Sequence, residues 1–148
     1  MINIDVKLNL NFPKLNLENE LKEIADRIII PDIQSRMVKG VDIDNKAYPP
    51  LAQSTIRAKR KRGLRQEILF AEGKLFRSFF AVKKSGFGVK ITSRSDRKEI
   101  GEKLQFEGVK SRTFGRRHFK FFGISDKAEN TAMTFMRNRI KNRIARGK

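Results

Sequence analysis

The sequence predicts a single α+β domain, in which a small mixed or antiparallel β-sheet packs against an N-terminal and a C-terminal helix and carries extended basic loops. Three observations support this fold class. Apolar residues alternate with polar ones near the N-terminus, they recur at helical spacing in two long segments, and a glycine-containing hairpin pattern lies between those segments. No linker or repeat divides residues 1–148, of which 39% are hydrophobic, so we expect one domain with one core.

The N-terminal third predicts one strand and one helix. The alternation that Pro13 stops predicts a half-buried strand, or an extended arm, over residues 1–13. Residues 17–37 place apolar side chains at near-helical spacing, which predicts a helix that ends at Gly40. Pro31 lies inside this pattern, and because proline lacks an amide hydrogen, the helix must kink or break there.

The central part predicts short elements before a hairpin. Ser54 or Thr55 is placed to cap a short helix that runs into a block of Lys and Arg. We expect a buried strand or turn over residues 67–73 and a short helix over residues 74–80. Residues 81–93 alternate on either side of two closely spaced glycines, which predicts a β-hairpin.

The next segment predicts a helix followed by a loop. A short helix is expected over residues 98–106, with Gly108 ending it. Its inward side chains would be Ile100, Leu104 and Phe106. Residues 109–118 are basic and have few apolar anchors, so we expect a basic loop that is mobile in the free protein.

The C-terminal part predicts an apolar segment and a long helix. Residues 119–124 are rich in Phe, which predicts a buried strand or turn. Ser125 or Asp126 is placed to cap the last helix, whose opposite face is basic. The apolar stripe of this helix is Ala128, Ala132, Phe135, Met136, Ile140 and Ile144.

The charge of the chain is strongly positive and unevenly distributed. The net charge is +18; residues 1–52 hold 7 Lys and Arg against 8 Asp and Glu, whereas residues 53–148 hold 27 against 8. Such a field attracts nucleic acid or acidic protein surfaces. We expect no membrane association, because the N-terminus lacks the apolar core of a signal peptide and the apolar runs are too short to span a bilayer.

The sequence offers no catalytic constellation, so we predict no catalytic residue, cofactor or metal. The absence of Cys excludes disulfides, thiolate zinc sites and thiol nucleophiles, and one His excludes a His-rich metal site. That residue, His118, has cationic sequence neighbours that disfavour its charged form. Asp42 and Asp44 are interpreted as turn formers, and Glu99 and Glu102 as a salt-bridged surface instead of the magnesium site of a nuclease.

Two basic segments are the predicted binding features. Dense Lys and Arg suit phosphate groups, and such contacts carry no sequence information. Phe114 and Phe119 lie among these cations and would either stack on bases or anchor the core, and the core role is favoured because Phe119 begins an apolar run. The predicted DNA- or partner-binding residues are Arg57, Lys59, Arg60, Lys61, Arg62, Arg65, Lys110, Arg112, Arg116 and Arg117.

Four stretches, taken in order, resemble the phage virion morphogenesis family of Mu-like tail completion proteins. They are Gly40 to Leu51 with Thr55 and Lys59; Ile68 to Leu75 with Ser78 and Phe79; Val89 to Ile91 with Ile100 and Leu104 to Gly108; and Arg117 to Phe119 with Phe122 to Ser125 before a final helix. Together they cover residues 37–146, and the resemblance lies in their order and spacing. The residues that carry it most are Tyr48, Pro50, Leu51, Gly73, Leu75, Phe106, Gly108 and Phe119.

The resemblance implies a structural role in a tailed bacteriophage. Such a protein acts late in assembly at the head-proximal end of the tail or at the neck, as a ring subunit. The implied partners are neck, tail tube and connector proteins, further copies of the chain, and packaged DNA in the ring lumen. The implied location is the virion, after assembly in the host cytoplasm. On charge alone, a sequence-nonspecific nucleic-acid-binding protein is the alternative.

Overall fold

A computed structural model shows the α+β domain that the sequence predicts. It contains a three-stranded antiparallel sheet, a two-stranded sheet, and helices near both ends of the chain. The residues that the structure describes are 4–6, 17–84, 88–111 and 115–146. Within these ranges, no helix is long and apolar enough to cross a membrane.

The larger sheet contains β1 (Ile4–Val6), β2 (Phe79–Lys84) and β3 (Gly88–Ser93), in the order β1-β3-β2. Strands β2 and β3 confirm the predicted hairpin, and β3 lies in the centre with Ile91 fully buried. Strand β1 confirms the strand predicted over residues 1–13 where it is described; the rest of that range lies outside the described residues.

The N-terminal helix forms in two parts, α1 (Glu18–Ile24) and α2 (Ile30–Lys39), joined by a π-helical turn over Ala25–Ile29. The predicted disturbance at Pro31 therefore takes the form of a widened turn just before the proline. A π turn bonds five residues back, which accommodates the missing proline donor without breaking the helix. The helix ends at Gly40 as predicted, with Gly40 in the left-handed conformation.

Two predictions for the central part were wrong in detail. Helix α3 (Gln53–Lys61) begins before Ser54, its N-cap is Ala52, and no side chain caps it. The helix predicted over residues 74–80 is a single 3-10 turn, Phe76–Ser78, because the residues that follow pair with β3. Sheet pairing thus takes residues that local spacing assigned to a helix.

Helix α4 (Ser95–Glu102) continues through a π-helical turn, Lys103–Glu107, to Gly108, which confirms the predicted helix and its end, but the helix begins three residues before the predicted start. The orientation predicted for two of its side chains was wrong. Ile100 is 43% exposed and Phe106 is 58% exposed, whereas Leu104 packs against the core.

The basic segment predicted as a loop forms a second small sheet. Strands β4 (Val109–Ser111) and β5 (Gly115–Arg117) pair antiparallel, with Lys110 opposite Arg116. Backbone hydrogen bonds hold such a pair without apolar anchors, which is why side-chain composition alone did not predict it. Arg112, predicted as a binding residue, lies outside the described residues.

The last helix, α5 (Asp126–Ala145), is capped by Ser125, whose hydroxyl accepts a hydrogen bond from the amide of Ala128 at 3.2 Å. This confirms one of the two predicted caps. The apolar stripe is buried over the first part of the helix, but Ile144 at its end is 69% exposed, contrary to prediction. The core therefore covers the first part of α5, and the end of the helix extends beyond it.

A buried arginine joins α2 to the segment that precedes α5. The guanidinium of Arg36 donates to the Asp32 carboxylate at 2.9 Å and to the carbonyls of Phe121 and Gly123 at 3.0 and 2.7 Å. The apolar residues predicted as a strand or turn are irregular in backbone, and Phe119, Phe121 and Phe122 are buried in the core. The hydrogen bonds of Arg36 therefore fix the end of the segment 119–123, and Phe119 at the start of this segment lines the cavity described below.

Candidate functional site

A cavity of about 580 Å³ lies beside α3, α4 and the β4–β5 hairpin. Helix α3 and the residues before it form one wall, residues 68–75 form a continuous second wall, and α4 with its π turn forms a third. The β4–β5 hairpin and Phe119 close the remaining side. Its volume is within the range of pockets that bind small molecules or a few side chains of a partner.

Apolar side chains dominate the floor of the cavity. Ile68, Leu69, Leu75, Leu104 and Phe119 line it, and all are buried or half-buried. Leu69 has φ of 62°, a left-handed backbone conformation that is unfavourable for a side chain of this size. Such strained residues concentrate at functional sites, because only the surrounding structure holds them in place.

Cations outnumber carboxylates around the cavity. The lining includes one carboxylate, Glu72, which Lys74 pairs, so that this ion pair lowers the pKa of Glu72. The cationic side chains that line it are Lys59, Lys74, Arg97, Lys110 and Arg117. The cavity therefore combines an apolar floor with a positively charged rim.

Two cations of the predicted basic block, residues 57–65, make contacts within the domain. Lys59 donates from Nζ to the carbonyl of Glu67 at 2.7 Å, and its partial burial lowers the pKa of its amine. Arg65 bonds the carboxylate of Glu67 at 2.5 Å and lies over the ring of Phe70, 4.4 Å from its centre. These contacts hold the end of α3 against residues 67–70.

The other four cations of the block project from the domain. Arg57, Arg60, Lys61 and Arg62 are exposed, and within the described ranges none of these side chains makes a hydrogen bond or ion pair. Helix α3 has no buried residue, so this row of charges lies on an open surface. It is the part of the prediction best placed to contact a partner.

The hairpin cations differ from one another. Lys110 is exposed at the cavity, and Arg116 is exposed and donates to the carbonyl of Glu107 at 2.6 Å. Arg117 is only 8% exposed, and its guanidinium donates to the carbonyl of Pro50. Arg117 therefore joins the hairpin to the segment before α3 and is not placed to contact an extended phosphate backbone.

The aromatic residues of the prediction belong to the core. Tyr48 and Phe119 are 5% and 6% exposed, and their rings meet edge to face with centres 5.7 Å apart. Burial raises the pKa of the Tyr48 phenol, and within the described part of the chain its hydroxyl has no hydrogen-bond partner. The core role favoured for Phe119 is thus supported, and Phe114 lies outside the described residues.

Two glycines from the family-like stretches have conformations that favour glycine. Gly73 (φ 70°) lines the cavity, and Gly108 (φ 73°) precedes β4. A Cβ on Gly108 would lie 2.8 Å from the carbonyl oxygen of Arg117, so the close approach at the base of the hairpin depends on this glycine. Arg97, Ile100 and Leu104 also line the cavity, although they were not among the predicted site residues. The sequence does show the four-residue spacing that places Ile100 and Leu104 on one helical face.

The acidic residues considered as candidate metal ligands do not form a site. Asp42 accepts hydrogen bonds from the amides of Asp44 and Lys46 at 2.9 and 2.7 Å, which is the turn that the sequence predicts. Glu99 is exposed and Glu102 is half-buried on α4. Among the described residues, no three His, Asp or Glu side chains form a group suited to a metal ion.

Comparisons of the chain with protein-family models, with curated proteins and with solved structures find no match. The assignment of function therefore depends on the residues themselves, their order along the chain and the surface that they form.

Proposed function

We propose that the chain is a structural virion protein of a tailed bacteriophage that acts in tail completion or head-tail joining as a ring subunit. One observation carries the proposal. All four family-like stretches contribute to one cavity, through Leu51 and Thr55, residues 68–75, Leu104, and Phe119. Convergence of separate sequence motifs on one surface is expected when that surface has a shared role.

The arrangement of charge supports an assembly role. The exposed cations of α3 and the cavity with its cationic rim lie next to each other, since α3 lines the cavity. A ring subunit needs surfaces for neighbouring proteins, and a ring around packaged DNA gains from cations that face the lumen. Many weak phosphate contacts, repeated by ring symmetry, hold DNA without sequence preference. The proposed partners are neck, tail tube and connector proteins, other copies of the chain, and packaged DNA.

A sequence-nonspecific nucleic-acid-binding protein is the second candidate. The exposed cations Arg57, Arg60, Lys61 and Arg62, whose side chains form no ion pair in the described ranges, favour it. Such a protein would bind duplex DNA as an isolated chain, with an affinity that falls steeply as salt rises. An assembly protein would instead bind weakly alone and copurify with particles.

Charge reversal on α3 tests the proposal. The variant carries Arg57→Glu, Arg60→Glu and Lys61→Glu and is supplied to a phage that lacks the gene. We expect the infectious titre to fall by about tenfold or more, because each altered contact is repeated around the ring. Lys59 is left intact, since its bond to the Glu67 carbonyl makes it part of the fold.

The matched control carries the same change in net charge on another surface. It carries Arg137→Glu and Lys141→Glu on α5 and Arg146→Glu directly after this helix, all at exposed positions. Circular dichroism and thermal unfolding confirm that both variants fold. A normal titre with the α3 variant, or an equal loss with both variants, would contradict the proposal.

A further inference from the structure

We propose that the cavity binds an extended segment of a neighbouring protein, one that inserts apolar side chains and flanks them with carboxylates. This inference deepens the proposed function and rests on it for the source of the segment, another virion protein. It adds the chemistry of the partner and the place where the partner binds.

The cavity offers apolar surface that water covers in the isolated chain. Ile100 and Val109, which line it, are 43% and 41% exposed, and the half-buried Ile68 and Leu69 lie beneath. Burial of such side chains by a partner is favourable because it removes their apolar surface from water. Apolar side chains are therefore the groups that this floor selects.

The charge at the rim of the cavity favours a partner with carboxylates. Of the five cationic side chains that line the cavity, Lys74 and Arg97 pair with Glu72 and Asp96. Lys110 is exposed beside the apolar Val109 and forms no ion pair among the described residues, so it is the cation best placed to meet a carboxylate of the partner. Complementary charge favours the correct partner and opposes a basic one. An apolar segment that also carries Asp or Glu matches both parts of the site.

Nucleic acid fits the cavity less well. Stacking of a base requires an accessible aromatic ring, whereas Phe70 and Phe119 are 9% and 6% exposed. The Arg65 guanidinium covers the ring of Phe70, and the ring of Tyr48 packs on that of Phe119. The phosphate-binding role therefore belongs to the open face of α3 and not to the cavity.

A second copy of the chain is also a poor source of the segment. Half of its acidic residues lie before α3, and two of those on α1 already pair with α5. Glu23 bonds Arg139 of α5 at 3.0 Å, and Glu20 bonds Arg143 of the same helix. These carboxylates are committed to holding α1 against α5.

A peptide selection tests the inference. A yeast-displayed library of random dodecapeptides is sorted with the fluorescently labelled full chain in physiological salt. We expect the selected peptides to combine apolar residues with Asp or Glu. The best of them is then measured by fluorescence polarisation against variants of the chain.

Two matched variants locate the binding site. The first, Ile100→Ser with Lys110→Glu, alters exposed residues of the cavity; the second, Ile144→Ser with Lys141→Glu, makes the same changes on α5. We expect the cavity variant to weaken binding by about tenfold and the α5 variant by less than about twofold. Unfolding curves establish that both variants are folded.

Four results would overturn the inference. The first two are selected peptides that show no preference for apolar residues, and equal weakening of binding by both variants. The third is displacement of the peptide by a single-stranded oligonucleotide, when that oligonucleotide binds the unchanged chain but not the cavity variant. The fourth is self-association of the chain that the cavity variant loses and the α5 variant keeps. Failure here, together with the expected loss of titre for the α3 variant, would remove the cavity inference alone. Success here with a normal titre for the α3 variant would instead remove the proposed function.

Discussion

Tyr48 shows how a residue from a family-like stretch serves the fold. It is the only tyrosine of the chain, it is 5% exposed, and its ring packs on Phe119 beside the cavity. Its hydroxyl has no hydrogen-bond partner within the described residues, so the ring and not the hydroxyl is what the site requires. The position supports the wall of the cavity from behind.

This burial predicts a specific loss of stability at high pH. The pKa of Tyr48 is raised in the folded chain by burial, whereas an exposed tyrosine ionises near pH 10. Above that pH the unfolded chain loses the proton first, so the free energy of unfolding falls by about 1.4 kcal/mol per pH unit from this group. Tyr48→Phe should lack this contribution and retain neutral-pH stability.

Urea unfolding of the two proteins between about pH 9 and about pH 11.5, a range that brackets the ordinary tyrosine pKa, measures the difference. Because the chain has one tyrosine and no tryptophan, near-ultraviolet absorbance also reports directly on this phenol. Ionisation of Tyr48 near its ordinary pKa in the folded chain, or identical pH profiles for the two proteins, would contradict the account.

At the scale of elements, a polar network joins the two main helices. Asp32 of α2 accepts hydrogen bonds from Arg36 and from the hydroxyl of Ser125, each at 2.9 Å, and Ser125 in turn caps α5. Arg36 is 6% exposed and also bonds two carbonyls of the segment before α5. One side chain thus sets the position of that segment, which continues from Phe119 at the cavity.

We predict that Arg36→Met lowers the free energy of unfolding by about 3 kcal/mol, because it leaves the carbonyls of Phe121 and Gly123 without this donor and leaves Asp32 with the Ser125 hydroxyl but no cation. The control is Arg139→Met, which removes an arginine whose side chain is 48% exposed and pairs with Glu23. We expect that change to cost less than about 1 kcal/mol. Urea unfolding followed by circular dichroism measures both, and equal effects would show that the buried network contributes little.

Periodicity predicted the elements well where the local pattern and the core agree. The hairpin, the long N-terminal helix and α5 with its Ser125 cap follow directly from spacing and turn residues. Predictions of orientation were wrong where an element passes the edge of the core, as at Phe106 and Ile144, because spacing identifies an apolar face but not what covers it. The β4–β5 hairpin was missed because its backbone pairing leaves little trace in composition.

At the scale of the whole molecule, the candidate site was predicted in part. Sequence density of Lys and Arg identified both basic segments, and the structure brings them to one cavity. Density alone does not separate structural cations from exposed ones. Arg117, Lys59 and Arg65 make contacts within the domain, whereas the cations of α3 such as Arg57 and Arg60 face outward. That division depends on contacts between distant parts of the chain, which no local pattern encodes.

The distribution of charge is also a property of the whole molecule. Cations of α5 pair with carboxylates of α1, while the cations of α3 and the cavity rim outnumber the acids around them. The exposed cations of α3 form no ion pair among the described residues, and we propose that they contact a partner. This is the physical basis of the assembly role that we propose.

The most direct test is the composition of purified particles from a phage that encodes this chain. Quantitative mass spectrometry of virions and of their tail and head precursors measures its copy number. We expect a fixed, low copy number in finished virions, set by one ring per particle. Absence of the chain from both virions and precursors would contradict it.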